Sequence, residues 1–368
     1  MKGRKWTRRA VLAGAGAACL APLYSSRRSS HAYDEAAEEL WRETPVPVGD
    51  EHALLLALIR YATLAPSSHN TQCWRFRLRP GAVRIEPDLM RRCPIVDPDD
   101  HHLFVSLGCA AENFAQAASA HGLTADGHFD ASGDGSYSLA LTPAEVTRSP
   151  LFHAIVDRQC TRADYDGRML SSSELRMLER AGSGAGVRVI VLTDRQLMER
   201  ALEFVVAGNT DQMNDAAFVN ELTDWLRFSR DEAVRTGDGL FSGASGNPSV
   251  PRWLGRTLMR SSFSASSEND RYARQLRSSA GLAVFVGNEE TPAGWVEVGR
   301  CYERFALQAT ALGVRNAFVN QPVEAARVRP AFAEWLGLKN QRPDLVVRFG
   351  RGPRMPVSLR RPVGAVVV

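Results

Sequence analysis

Lysine is scarce in this sequence, and several catalytic motifs are missing with it. Beyond residue 32 the only lysine is Lys339, in the plain segment GLKNQR. This argues against a pyridoxal enzyme, because such an enzyme holds its cofactor as a lysine Schiff base. The chain has no Gly-x-x-x-x-Gly-Lys phosphate loop and no Gly-x-Ser-x-Gly nucleophile elbow. The glycine-rich segment at 182–186 precedes a predicted strand and does not join a strand to a helix, so it is not a dinucleotide fingerprint.

Cysteines are few and widely spaced beyond residue 32. They occupy positions 73, 93, 109, 160 and 301, and no two form a Cys-x-x-Cys pair. An odd number without tight spacing predicts neither a disulfide framework nor a structural zinc site. The pair His101-His102 follows acidic residues at a predicted helix start, where we expect capping and surface roles, so no metal site is predicted.

The excess positive charge of the sequence is confined to its first segment. The formal net charge is +4 and the sequence pI is about 8.8. Seven of the 45 Lys and Arg residues lie within residues 1–32, which contain no Asp or Glu, so the rest of the chain carries 38 basic and 41 acidic residues. We therefore predict no nucleic-acid partner.

Residues 1–32 have the three-part layout of an export signal. A basic start is followed by a small apolar run at 11–23 and by a candidate cleavage site before Tyr33. The run at 7–12 (TRRAVL) resembles a twin-arginine signal, whose translocase moves folded proteins. We therefore predict export by the Tat translocase to the periplasm or the exterior. The mature chain is predicted to have no transmembrane helix, because the apolar run is shorter than the ~20 residues that a membrane span needs.

Residues 65–74 (APSSHNTQCW) connect a predicted helix at 52–64 to a predicted strand at 74–78. The connection is dense in small hydrogen-bond donors and acceptors, which can hold a polar planar ligand at close range. Pro, Ser and Asn are also ordinary residues of a surface turn, so a plain connection is the alternative.

A repeated segment divides the chain into two predicted halves. The residues at 108–122 (GCAAENFAQAASAHG) and 299–313 (GRCYERFALQATALG) share Gly, Glu, Phe, three Ala and a final Gly. Common helical composition explains part of this match. The remainder predicts two copies of one α+β unit, at 51–148 and 149–368 after an acidic leader at 33–50, stacked as an internal pseudo-dimer.

Residues 236–270 are rich in Gly, Ser, Asn and Pro, with scattered large apolar side chains. A loop of this length inside a compact protein is usually functional or mobile. Two interpretations remain open, a lid over a site and a disordered insertion.

Two arginine clusters lie far from the polar turn in the sequence. One is the segment at 158–162 (RQCTR), and the other is Arg360-Arg361 near the end of the chain. Guanidinium groups near helix ends bind phosphate oxygens by paired hydrogen bonds, although a solvated surface is the alternative for each cluster alone. Together with the polar turn, the clusters suggest a phosphorylated planar cofactor.

With these motifs the sequence resembles the FMN-dependent nitroreductase superfamily. APSSHNTQCW is similar to that family's Ala-Pro-Ser-x-x-Asn-x-Gln-Pro-Trp, and RQCTR is similar to its Arg-x-Ser-x-Arg phosphate motif. The helix at 299–313 and the ending Ser-x-Arg-Arg-Pro-Val also match its closing pattern. Cys73 stands where the family has Pro, and Cys160 where it has Ser or Thr. The resemblance covers nearly all of 45–368, and the nearest subgroup looks like the exported "Acg-like" FMN-binding proteins with two halves in one chain.

The resemblance implies a nitroreductase-like α+β fold with FMN as cofactor. It implies a ring-side strip from the first half and a phosphate strip from the second, and therefore one FMN per chain in a monomer. No residue is assigned as catalytic, because the flavin does the chemistry. The predicted cofactor-binding residues are Pro66, Ser67, Ser68, Asn70, Gln72, Arg158, Cys160, Arg162, Arg360 and Arg361.

The leading functional prediction is an FMN-dependent oxidoreductase that passes hydride or electrons to a small-molecule substrate. NAD(P)H is the expected electron donor if the protein works in the cytoplasm, whereas an exported protein lacks that donor. Two alternatives remain open. One is an FMN-binding or FMN-sequestering protein with little or no turnover, and the weaker one is a flavin oxidase that acts on a modified peptide.

Overall fold

The computed structural model describes residues 30–45, 49–184, 186–261 and 264–368. Apart from residues 30–32, the predicted export signal lies outside the described residues. Residues 30–40, which include the start of the predicted leader, form helix α1. Within the described ranges, no helix has both the length and the apolar character needed to cross a membrane.

The first half contains two helices and a four-stranded antiparallel sheet. Asp50 caps the helix at 51–63 by accepting a hydrogen bond from the amide of Ala53, and Gly81, at φ +66°, makes the tight turn between the first two strands. The sheet order is β1-β2-β4-β3. The elements are α2 (Glu51–Thr63), β1 (Trp74–Arg79), β2 (Ala82–Pro87), α3 (His101–Ala120), β3 (Leu123–Phe129) and β4 (Tyr137–Pro143).

The second half repeats this arrangement with its own antiparallel sheet, in the order β5-β8-β10-β9. A capping box formed by Ser171 and Glu174 starts its first long helix. The elements of the repeated unit are α5 (Ser172–Gly182), β5 (Val187–Leu192), β8 (Gly281–Gly287), α11 (Pro292–Ala311), β9 (Arg315–Phe318) and β10 (Leu345–Gly350), with α4 (Pro150–Ala154) before them and α12 (Gln321–Glu324) and α13 (Arg329–Trp335) inside.

The two halves have the same topology. Each runs helix, strand, strand, helix, strand, strand, and in each sheet the third and fourth strands exchange places in the spatial order. The α+β class and the internal duplication are therefore confirmed. The boundary near residue 148 stays a prediction.

Helices α3 and α11 cross at a pair of glycines, in the register of the sequence repeat. A Cβ atom on Gly108 would lie 1.9 Å from the carbonyl oxygen of Val296, and one on Gly299 would lie 1.9 Å from that of Val105. Each helix thus offers the same surface to the other, as in the two-fold contact of a symmetric dimer. The repeated helices are the pseudo-dimer interface.

A long insertion, residues 193–280, separates β5 from β8, where the first half has only the turn at Pro80-Gly81. It contains α6 (Arg195–Met213), α7 (Ala216–Trp225), α8 (Arg230–Thr236), α9 (Arg252–Ser261) and α10 (Ala265–Arg277), and the short strands β6 (Leu226–Arg227) and β7 (Leu240–Phe241). We name this segment the insertion.

The insertion differs from what its sequence predicts in two places. The amphipathic pattern at 215–235 predicts one long helix, but the helix is interrupted, because Leu226 adopts an extended conformation and its strand pairs with β7 before Ser229 caps α8. The expected loop at 236–270 is largely helical. Ser264 caps α10 by accepting from the amide of Ser267, a start signal hidden among the other serines of that segment.

The chain end returns from the second half to the first sheet. The amide of Phe76 donates to the carbonyl oxygen of Val366 at 2.7 Å, and the amide of Val368 donates to that of Phe76 at 2.9 Å. The last residues therefore extend the edge of the first sheet, and this contact carries the segment at 356–361 past the polar turn that follows α2.

Candidate functional site

A cavity of about 290 Å³ lies where the two halves meet the insertion. The first half contributes the turn at 66–70 and part of α3, and the second half contributes 158–162, 356–360 and α12. Side chains of α6, α7 and α10 cover the remaining side. These parts are distant in sequence, so the cavity exists only in the folded chain.

The polar turn after α2 has an unusual backbone. His69, Asn70 and Gln72 have φ values of 48°, 53° and 54°, a left-handed conformation that non-glycine residues adopt rarely. Such conformations persist where surrounding contacts hold them, and they cluster at functional sites. The contacts of this turn explain how it is held.

Two side chains hold the turn in place by hydrogen bonds to backbone carbonyl oxygens. The amide nitrogen of Asn70 donates to the carbonyl oxygens of Gly239 and Leu359, at 3.0 and 3.1 Å. The amide nitrogen of Gln72 donates to the carbonyl oxygen of Gly237 at 2.8 Å. The turn is therefore tied both to the insertion and to the end of the chain.

The remaining polar atoms of the turn are available to a ligand. Ser67 Oγ accepts from the amide of Gln72 at 2.9 Å, which leaves its own hydroxyl proton free to be donated. The side-chain oxygen of Asn70 is buried and has no hydrogen-bond partner among the described residues. Ser67, Ser68 and Asn70 all line the cavity, together with Pro66.

Arg158 and Arg360 donate hydrogen bonds to the carbonyl groups at the C-terminal end of α2. Arg158 donates to the carbonyl oxygen of Leu64 at 2.6 Å, and Arg360 donates to those of Thr63, Leu64 and Ala65 at 2.8 to 3.1 Å. Both guanidinium groups are buried. They satisfy helix carbonyls that otherwise lack partners, so much of their hydrogen-bonding capacity is already used.

A fully buried carboxyl group lies against Arg158. Glu303 Oε1 is 3.0 Å from Arg158 Nε. Burial raises the pKa of Glu303 to about 7, with the attraction of Arg158 opposing the rise. Burial, aided by repulsion from Arg158, lowers the pKa of Arg360 to about 9. The repeat-related residue of the first half, Glu112, instead pairs with Arg300 and Arg304.

Arg162 is the available cation of the cavity wall. Its side chain is half-buried, lines the cavity, and has no carboxylate within ion-pair distance among the described residues. Cys160 beside it is a free, partly exposed cysteine that also lines the cavity. Its thiol is a weak donor, so a bound anion would depend mainly on Arg162.

His69 is neutral at ordinary pH. Burial lowers the pKa of its imidazole to about 4, and the nearby positive charge of Arg162 acts in the same direction. Its Nδ1 atom lies 3.4 Å from the sulfur of Cys93. His69 can therefore offer a hydrogen bond in the cavity without adding charge.

The predicted capping at the start of α3 is confirmed for Asp97, whose carboxylate accepts from the amides of His102 and Leu103 at 3.0 and 2.9 Å. The expected surface position of the histidines is wrong, because His101 and His102 are both buried and face Asp344. One ligand atom each from Asp97, His101 and His102 lie within 4.8 Å of one another. That no metal binds here stays a prediction.

Eight of the ten predicted binding residues line the cavity: Pro66, Ser67, Ser68, Asn70, Arg158, Cys160, Arg162 and Arg360. The other two lie behind the wall. Arg361 donates to the carbonyl oxygen of Gln72 at 2.7 Å, and its own amide donates to the side chain of Gln72 at 2.8 Å. Their role toward a cofactor stays a prediction.

Sequence reasoning missed the polar wall on the opposite side of the cavity. It is formed by residues scattered over three helices that form no motif: Asn209, Gln212, Glu268, Arg271, Tyr272, Gln321 and Glu324. Burial raises the pKa of the carboxyl groups of Glu268 and Glu324. No local pattern in the sequence indicates this wall, because only the fold of the insertion brings it together.

No protein-family model matches the chain. A protein of Mycobacterium tuberculosis named "Putative NAD(P)H nitroreductase" is 26% identical over 328 residues, which cover 84% of this chain and 90% of that protein. Its counterpart in a second strain of that organism matches equally. The predicted resemblance to the nitroreductase superfamily is confirmed.

Solved structures give only remote likenesses. The FMN-dependent nitroreductase NfnB from Mycobacterium smegmatis, in complex with NADPH, is 14% identical with a TM-score of 0.37, over 59% of this chain and 91% of that one. A nitroreductase with bound FMN from Bacteroides fragilis is 16% identical with a TM-score of 0.35, over 56% and 89%. Likenesses this remote do not bear on function.

Proposed function

We propose that this protein is an FMN-dependent oxidoreductase of the nitroreductase type. One observation carries the proposal. The fold brings the Ser67–Asn70 turn of the first half and the Arg158–Arg162 segment of the second half to a single cavity. Two motifs of the resemblance, separated by almost 90 residues in the chain, thus form one site.

The residues present fit the two ends of FMN. Arg162 supplies for the phosphate a guanidinium group that no carboxylate of the described residues pairs with. The buried side-chain oxygen of Asn70, which accepts from no group in the described ranges, suits a ring N–H donor, and the hydroxyls of Ser67 and Ser68 suit ring oxygens. When bound, the flavin supplies the hydride and electron transfer. The protein holds the ring, covers it and keeps water away.

One site per chain follows from the way in which the repeat has diverged. In the second half, the end of α5 is covered by Arg304, whose Nε donates to the carbonyl oxygen of Ala181 at 3.3 Å. Arg304 Nη1 also donates to Glu112 at 2.9 Å. The connection that follows, at 183–186, is Ser-Gly-Ala-Gly and lacks the amide side chains of the first turn. We infer a monomer that binds one FMN.

The relative's name indicates NAD(P)H as the electron donor, and we propose the same donor where the protein meets it. Tat export stays a prediction. An exported protein would need another electron donor. In that case a second candidate function, an FMN-binding protein, is favoured. The insertion and Trp41 of the leader cover the cavity, which favours an FMN-binding protein with little turnover. A peptide oxidase has no comparable observation in its favour.

The experiment that tests the proposal has two stages. First, the purified protein is loaded with FMN and its visible spectrum is recorded. Second, NAD(P)H is added without oxygen, followed by a nitroaromatic compound or a quinone. Flavin bleaching by NAD(P)H and its reversal by the acceptor would support the oxidoreductase. Bound flavin that NAD(P)H does not bleach would support the binding protein, and absence of bound flavin would overturn both.

A further inference from the structure

Glu324 has a protected position in the cavity wall. It ends α12, and its side chain is only 20% exposed. Its Oε2 accepts a hydrogen bond from the side-chain amide of Gln212 at 2.7 Å. Among the described residues, no arginine or lysine lies within ion-pair distance of it, so its nearest cationic candidate is a histidine. A buried carboxyl group without a strong cation favours its protonated form.

That histidine is His102, and its hydrogen bonds determine which nitrogen faces the carboxyl group. Nε2 lies 3.1 Å from the backbone carbonyl oxygen of Asp344, which can only accept, so Nε2 carries a proton. Nδ1 lies 3.8 Å from Glu324 Oε1, and in a neutral imidazole it is the nitrogen that carries the lone pair. In that tautomer a small rotation of a protonated Glu324 would bring its hydroxyl within reach of Nδ1. His102 thus orients the Glu324 carboxyl group in the cavity wall.

We propose that Glu324 is the proton donor to the substrate reduced in this cavity, with His102 as its positioning residue. The assignment rests on the proposed function. Reduction of a quinone or another carbonyl acceptor needs a hydride and a proton. A bound reduced flavin would supply the hydride that forms the new bond to the substrate. The substrate oxygen would take its proton from Glu324, and the remaining carboxylate would regain a proton from water. Atoms and charge then balance.

The other carboxyl group of this wall is less suited to the role. Glu268 is bound by Arg271 one turn along α10, and this cation favours the ionised form of its partner. Gln321 lies on the same helix as Glu324, and its side-chain oxygen is buried without a partner among the described residues. That oxygen can accept a hydrogen bond from the hydroxyl group that the proton transfer creates.

The test compares two acceptors in the FMN-loaded protein. Flavin is reduced with dithionite, without oxygen, and mixed with benzoquinone, which needs a proton, or with ferricyanide, which takes an electron only. We expect Glu324→Gln to slow reoxidation by benzoquinone about 10²-fold, the usual lower range for a lost general acid. Reoxidation by ferricyanide should change less than about twofold by the same reasoning. The wild-type rate with benzoquinone should fall as pH rises, and the variant should lose that dependence.

A second readout does not involve turnover. Infrared spectra of the flavin-free protein should show a protonated carboxyl band that persists above the usual pH range of a glutamic acid and is missing in Glu324→Gln. Glu334→Gln, at an exposed site on α13, is the matched control and should keep both the band and the rates.

Equal slowing with both acceptors, or no slowing, would overturn the assignment of Glu324 while leaving the proposed function intact. Infrared spectra that show the same protonated carboxyl bands in the wild type and in Glu324→Gln would overturn it as well. A chain that takes up no flavin would overturn the proposed function and this assignment together, and the visible spectrum recorded first distinguishes that case.

Discussion

Gly108 and Gly299 meet at the crossing of α3 and α11, and neither position has room for a methyl group. The contact is reciprocal, since each glycine faces the backbone of the valine that precedes the other by three residues. The interface between the two halves is thus a backbone-to-backbone approach. Because the cavity lies between the same halves, this contact also sets the distance between the polar turn and the arginine segment.

Gly299→Ala should weaken the fold. The new Cβ would lie 1.9 Å from the carbonyl oxygen of Val105, so the helices must separate. Overpacking of this kind costs about 1–3 kcal/mol of unfolding free energy, and more where backbone must move. Urea unfolding followed by circular dichroism measures the loss.

Gly364→Ala is the control for that prediction. A Cβ on Gly364 would have no atom within 4 Å, so the same chemical change should leave the urea midpoint almost unaltered. Equal midpoints for the two variants would show that the helix crossing is not tight.

Arg162→Ala should weaken FMN binding. The substitution removes the cavity cation that has no carboxylate partner among the described residues. A hydrogen bond to a charged group is worth about 1.5–3 kcal/mol, so the dissociation constant should rise roughly tenfold to a hundredfold. Fluorescence titration with FMN measures it, and riboflavin, which lacks the phosphate, should bind both proteins alike.

Arg168→Ala is the matched control, because its side chain is 83% exposed and lies 3.8 Å from Asp166. It should bind FMN as the wild type does. If Arg168→Ala weakened binding as much as Arg162→Ala, the phosphate would not be held in the cavity.

His69→Asn should reduce the sensitivity of the fold to acid. The pKa of His69 is lowered by burial to about 4, from about 6.5 in an unfolded chain. The unfolded state therefore takes up a proton first, and stability is lost as pH falls from about 6.5 through 4. Removing the imidazole should decrease that loss by on the order of 1–3 kcal/mol.

Asparagine suits position 69 because it tolerates the left-handed backbone found there. Urea midpoints at several values between pH 7 and pH 4 give the comparison. A variant with the same pH profile as the wild type would mean that His69 protonates freely in the folded protein.

Asp238→Asn should loosen the insertion from the first half. The Asp238 carboxylate binds Arg227 at 2.7 Å and also binds Arg91, which itself donates to the backbone of Thr71 in the polar turn. Breaking a buried pair costs about 3–5 kcal/mol, so bound FMN should dissociate faster, by tenfold or more on that scale. Stopped-flow fluorescence measures the release of FMN.

Asp224→Asn serves as the control for the release experiment. Asp224 is also paired with an arginine of the insertion, Arg256, but its side chain is 70% exposed. Its loss should leave FMN release unchanged. Equal acceleration by both variants would indicate general destabilisation and not the loss of a lid contact.

Much of the fold could be predicted because its signals are local. Alternating apolar residues and the Pro80-Gly81 turn predict the first hairpin, and the shared Gly-x-x-x-Glu-x-Phe-Ala pattern of α3 and α11 predicts the duplication. Strand β3 was missed because LTADGHF is polar and largely exposed, and its partner β4 provides its hydrogen bonds. Helices α9 and α10 were missed because they lie in a segment rich in glycine and serine, where Ser264, the cap of α10, is one serine among many.

The site, too, could be predicted only where its residues follow one another in the sequence. The polar turn and the arginine segment are each a single short stretch of the chain, so the resemblance identified them. That Asn70 and Gln72 would brace Gly239 and Gly237 could not be foreseen, since their partners are backbone atoms more than 160 residues away. Glu324 had no motif at all. Its position depends on α12 packing beside α6 of the insertion.

The measurement that tests the central claim most directly is a titration of the purified protein with FMN, followed by removal of free flavin and quantification of the yellow chromophore against protein. The account predicts saturation at one FMN per chain, with both the spectrum and the stoichiometry lost together when Ser67, Ser68 and Arg162 are replaced by alanine. A colourless protein, or two FMN molecules per chain, would contradict it.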